Sequence, residues 1–96
     1  MTAPNRTETG LTAPLLNLNG AAGKSLVEAY STAAHAVQAA MKLLQQTTPH
    51  GRDFQTAPAG EYQKALSEHT NRYLALERVY NELYALARNV DAQVRR

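Results

Sequence analysis

One row of side chains constrains this chain more than any other feature: Tyr62, Leu66, His69, Tyr73, Leu76, Tyr80, Leu83, Ala87, Val90 and Val94. The steps between them alternate four and three without a slip. That is the a/d spacing of a heptad, and it sets the whole row on one seam of a long helix. Glu61 lies near the positive end of that helix dipole, and Arg95 and Arg96 near the negative end. The spacing predicts a helix over about 60–94, some 52 Å long at about 1.5 Å per residue.

A second helix is predicted over about residues 20–47, with Asn19 as its N-cap. Its seam is Leu26, Tyr30, Ala33, Val37, Ala40 and Leu44. Apolar residues flank that seam on both sides: Val27, Ala34 and Met41 on one, Ala29, Ala36 and Leu43 on the other. Glu28, Ser31, Thr32, His35, Gln38, Lys42 and Gln45 make the opposite face. The apolar arc thus spans four of seven heptad positions. A single neighbouring helix covers only about two.

Between the helices, residues 48–59 carry Pro49, Gly51 and Pro58, with Gly60 just beyond, all of which oppose helix propagation. Phe54 is the expected anchor of this loop. Residues 1–14, with Pro4, Gly10 and Pro14, read as a flexible arm, and 15–96 as one helical hairpin. Folding the chain back about its loop sets Tyr73 across from Ala33 and Ala34, Tyr80 across from Leu26 and Val27, and His69 across from Val37 and Met41. The second helix then outruns the first, and Leu15, Leu16 and Leu18 are expected to cover the overhang around Leu83, Leu86, Ala87 and Val90.

The fold class expected is all-α: an antiparallel two-helix hairpin that dimerises into a four-helix bundle. At 96 residues the chain is one small domain, and two helices enclose no interior. The residues expected to form the dimer and bundle seam are Val27, Met41, Leu43, Tyr73, Val79, Tyr80 and Leu86. An interface above roughly 2,000 Å² is expected for such an obligate pair.

Composition removes several function classes. With no cysteine, disulfides, thiol catalysis and Cys-ligated zinc are excluded. No apolar run reaches the roughly 18–20 residues of a membrane span. The first ten residues lack a basic stretch followed by an apolar one, so no secretory signal is expected and a cytoplasmic location fits. Gly20-Ala-Ala-Gly-Lys-Ser25 has two residues between its first glycine and Gly-Lys, where a phosphate-binding loop needs four. His35, His50 and His69 show no metal-ligand spacing, and no cofactor is expected. The densest cluster of chemically able side chains is His50, Arg52 and Asp53 with Phe54, a candidate recognition loop. Its plainer reading is turn chemistry: Asp53 capping backbone N–H groups, Gly51 at positive φ, and Arg52 paired with a carboxylate. Tyr30, Tyr73, Tyr80 and Tyr84 are expected to cluster near the middle of the bundle, as core tyrosines with hydroxyls at the surface.

Leu15–Gly20 (LLNLNG), Pro49–Phe54 (PHGRDF) and the later run H-x-x-R-Y-x-x-L-E-x-V-Y-x-E-L together resemble small uncharacterised bacterial or prophage-type proteins. The resemblance covers about residues 15–92 and implies a helical hairpin with no activity attached. The function expected is non-enzymatic: an interaction or assembly protein, a homodimer with room for a further protein partner. The alternative is a small nucleic-acid-associated protein using Arg72, Arg78, Arg88, Arg95 and Arg96. Glu68, Glu77, Glu82 and Asp91 lie among those arginines, and the net charge is only +2, which weakens that alternative.

Overall fold

The structure, a computed structural model, describes residues 3–16 and 20–95. It is mostly helical, built on an antiparallel pair: α1, Gly20–Leu44, and α2, Glu61–Val94. A two-stranded antiparallel hairpin, β1 (Asn5–Arg6) and β2 (Thr12–Ala13), precedes them. Short 3-10 turns at Gln45–Thr47 and Gly51–Phe54 fill much of the connection. The expected N-cap Asn19 and the expected cover Leu18 lie outside the described residues.

The helix ends follow from local chemistry. Past α1, the Thr47 hydroxyl donates to the Leu44 carbonyl at 2.7 Å and the Thr48 hydroxyl to that of Gln45 at 2.6 Å. These bonds satisfy carbonyls that a helix C-terminus leaves unpaired, and Pro49 prevents continuation. Before α2, Gly60 sits at φ 89°, where a Cβ would be strained. The positive φ expected at Gly51 is absent; the glycines that carry one are Gly10 and Gly60.

All ten residues of the α2 row are buried or half-buried, and His69, Ala87 and Val90 are the most enclosed. The α1 seam differs from the expected one. Gly23, Ala34 and Met41 are buried, with Tyr30 and Val37 half-buried, while Ala33 and Ala40 of the expected seam are exposed. On an arc this wide, periodicity cannot choose between adjacent rows. Packing selects the one with Tyr30, Val37 and Met41, because larger side chains remove more apolar area from water.

The register also departs from the simple fold-back. His69 stands level with Gln45 and Thr48, Tyr62 with Phe54, and Val94 with Gly23. The displacement is about two to three turns of helix. By this register Tyr80 falls beside Ala34 and Tyr73 beside Met41. The 3-10 turns carry the chain onward past α1 before it reverses, so the surplus length of α2 lies at the loop end. There Phe54 packs on Tyr62, with ring centroids 5.7 Å apart. The overhang expected around Leu83–Val90 is not present.

The first strand pair corrects the flexible-arm expectation for residues 1–14. Asn5 pairs with Ala13 and Arg6 with Thr12. The turn is closed by the buried Thr7, whose N–H donates to Leu11 O at 2.9 Å and whose hydroxyl accepts from Leu11 N–H at 3.1 Å. Gly10 supplies the left-handed residue at φ 90°. Ala13 is buried, Leu16 half-buried and Leu15 exposed, so only part of the expected leucine cover forms.

The resulting body is elongated. Its Cα radius of gyration is 19.2 Å, against about 12.5 Å for a compact chain of this length. Its accessible surface is 7232 Å², where a compact monomer of this mass exposes about 5,400 Å². One helix–helix contact leaves most of each perimeter wet.

At the end away from the loop, α2 approaches α1 closely at Gly23. A Cβ on Gly23 would stand 2.5 Å from Val94 Cγ2 and 2.8 Å from Leu16 Cδ1. Gly23→Ala should therefore lower stability by about 1–2 kcal/mol in chemical denaturation, despite alanine's better helix propensity. Adding Val94→Ala should recover part of that loss, and strictly additive effects would refute the collision.

Candidate interaction surfaces

The loop cluster is placed together at one end of the molecule. His50, Arg52 and Asp53 are all exposed, while Phe54 is half-buried against Tyr62. The turn is held by backbone, with Asp53 N–H donating to His50 O at 3.0 Å. Neither the expected Asp53 side-chain cap nor an Arg52 ion pair forms; the ion pair among the described residues is Arg95 with Asp91, at 3.0 Å. Being exposed and one turn apart, that pair contributes little.

His69 lies inside the hairpin, with Nε2 3.2 Å from Thr48 Oγ1 and 3.4 Å from Gln45 Oε1. The Thr48 hydroxyl also donates to the Gln45 carbonyl, so the imidazole, the threonine and Gln45 form one small network. Nδ1 is buried without a partner. This hydroxyl–imidazole contact is a brace between the exit of α1 and α2. Among the described residues no group of three His, Asp or Glu side chains stands close enough to hold a metal ion.

The seven residues expected at a dimer seam divide sharply. Met41 is buried, and Val27, Tyr73, Tyr80 and Leu86 are half-buried, within the single chain. Leu43 and Val79 remain open, at 62% and 38% exposure. Leu43 ends an open row that joins the expected flank of Ala29, Ala36 and Leu43 to Ala33 and Ala40 of the expected seam; all five are exposed and repeat at heptad steps. Ser25, Thr32, Ala39, Gln46 and Thr47 border it, exposed and uncharged. Of the charged residues of α1, Lys24 and Lys42 lie about 140° around the helix from the middle of that row, and Glu28 about 100°.

The outer side of α2 carries the N-terminal hairpin and two open grooves. Asn89 Nδ2 donates to Arg6 O at 3.2 Å, and its Oδ1 accepts from Asn5 at 2.7 Å. Gln93 Nε2 donates to Pro14 O at 2.9 Å, while its Oε1 accepts from Leu16 N–H at 2.9 Å. One groove, of about 620 Å³, runs past Leu74, Arg78, Tyr84 and Thr9; a second, of about 300 Å³, lies between the hairpin and Asn89. The tyrosines do not gather in one cluster: Tyr80 and Tyr84 have centroids 6.1 Å apart, and Arg88 stacks 5.3 Å over the exposed Tyr84. Sequence reasoning missed the hairpin. Its only signal was the turn sequence Thr7-Glu-Thr-Gly10, because, of the paired residues, only Thr12 favours a strand, while Asn5 and Ala13 disfavour one.

No helix is long and apolar enough to cross a membrane among the described residues. Comparison with protein-family models, with curated proteins and with solved structures gives no match.

Two outcomes follow for these surfaces. The triple change His50→Ala, Arg52→Ala, Asp53→Ala should leave the melting temperature unchanged, while Phe54→Ala should cost about 1–2 kcal/mol, less than a fully buried ring. A marked destabilisation by the triple change would contradict the exposed placement. Gln93→Ala should speed proteolytic cleavage within residues 5–16 and leave helical circular dichroism intact; equal cleavage rates would show that these bonds do not hold the hairpin.

Proposed function

We propose that this protein is a non-catalytic interaction module that self-associates, two hairpins closing a four-helix bundle. The observation that carries this reading is the surplus of surface: about 1,800 Å² more than a compact monomer of the same mass exposes. Two such surpluses facing each other match the roughly 2,000–5,000 Å² that obligate dimers bury. The exposed apolar residues on both helices supply the driving force, since soluble monomers rarely leave such surface open. A non-catalytic role is supported by the enclosure of His69, the histidine in contact with a hydroxyl, which is buried between the helices and closed to a substrate.

The nucleic-acid reading gains nothing from the placement of the arginines. Arg78 and Arg88 line one groove, but Glu77 and Glu82 line it with them; Arg88 is stacked on Tyr84, and Arg95 is paired with Asp91. Sedimentation equilibrium should give about twice the 10.5 kDa of the chain at micromolar concentration. A single copy that stays folded and melts cooperatively at millimolar concentration would sink the proposal.

A further inference from the structure

We propose that the second copy docks on the exposed alanine face of α1, antiparallel, with Ala36 at the two-fold axis. The inference rests on the self-association reading and says which surface and orientation that association uses. Three observations select the face. The α1 row from Ala29 to Leu43 is exposed, while the row beside it is spent on α2. The row carries no charge, although it is open to water, so no charge on it must be desolvated when a partner arrives. The outer side of α2, by contrast, is occupied near its C-terminus by the N-terminal hairpin, bonded through Asn89 and Gln93.

Orientation follows from volume and dipole. With Ala36 on the axis, antiparallel pairing sets each Leu43 against the partner's Ala29, large against small, as dense packing requires. Parallel pairing would set Leu43 against Leu43 and wedge the alanine contacts apart. Antiparallel α1 helices also place opposite dipole ends together. Alanine at the contact allows the axes to approach to about 8 Å, the near end of the helix-packing range. The surplus surface of about 1,800 Å² per copy, taken over the whole chain, exceeds the roughly 800 Å² per partner that a stable interface of standard size buries.

The test uses the full chain, whose lack of cysteine makes engineered thiols unambiguous. Ala36 is exposed, so Ala36→Glu leaves the hairpin folded, as helical circular dichroism would verify. In a dimer it brings two carboxylates together at the axis and should weaken association by at least about a hundredfold. Gln38→Glu, off the proposed face, should leave the mass unchanged. A mixture of Ala29→Cys and Leu43→Cys chains should cross-link with each other through a short bis-maleimide, and neither should cross-link with itself. If the unmodified chain is a monomer, the self-association reading itself falls. If it is a dimer and Ala36→Glu remains one of equal strength, that reading stands and the assignment of this face is overturned. Self-linking of Ala29→Cys and of Leu43→Cys would overturn the antiparallel register alone.

Discussion

A pair of helices offers each member one line of contact, and everything else about this molecule depends on that limit. The line is built well. Gly23, Ala34 and Met41 of α1 are buried, as are His69, Ala87 and Val90 of α2. A small residue sits level with a large one at Gly23, which Val94 approaches directly. Yet much of the apolar surface on α1 lies outside this line. Burial of apolar area is the main stabilising term in folding, and a hairpin alone forgoes a large share of it.

The two ends of the hairpin are closed by different means. At the loop end, the 3-10 turns bring Phe54 onto Tyr62, while Thr48 and Gln45 brace the buried His69. At the other end, Leu16 and Val94 crowd Gly23. The N-terminal hairpin is attached to α2 largely through amide side chains, with Asn5, Asn89 and Gln93 sharing donors and acceptors. Such bonds add little net stability when water can replace them, but they fix register, because each amide has a distinct donor and acceptor end. A polar attachment thus orients the strand pair while the helices carry the packing.

Much of the architecture was legible in the residues. The ten-residue row of α2, the breakers from Pro49 to Gly60 and the excess width of the α1 arc all describe two antiparallel helices with surface to spare. The choice of contact row on α1 was not legible, because Ala33 and Ala34, or Ala40 and Met41, are both apolar and differ by one position. The register was not legible either, since two short turns inside the connection shifted the reversal point. The candidate loop was legible only as composition: His50, Arg52 and Asp53 do stand together at one tip, but none of the expected side-chain turn bonds forms.

By itself the sequence determined helix type, helix length and the presence of more apolar face than one partner helix covers, because period and breakers are local properties. Tertiary structure alone decided which α1 row meets α2, how far the helices slide, and that residues 5–13 fold into a hairpin on α2. These choices turn on packing between segments distant in the chain: the size of Met41 against Ala40, the approach of Val94 to Gly23, and amide pairs separated by more than eighty residues. No window of local sequence contains both partners of such a contact.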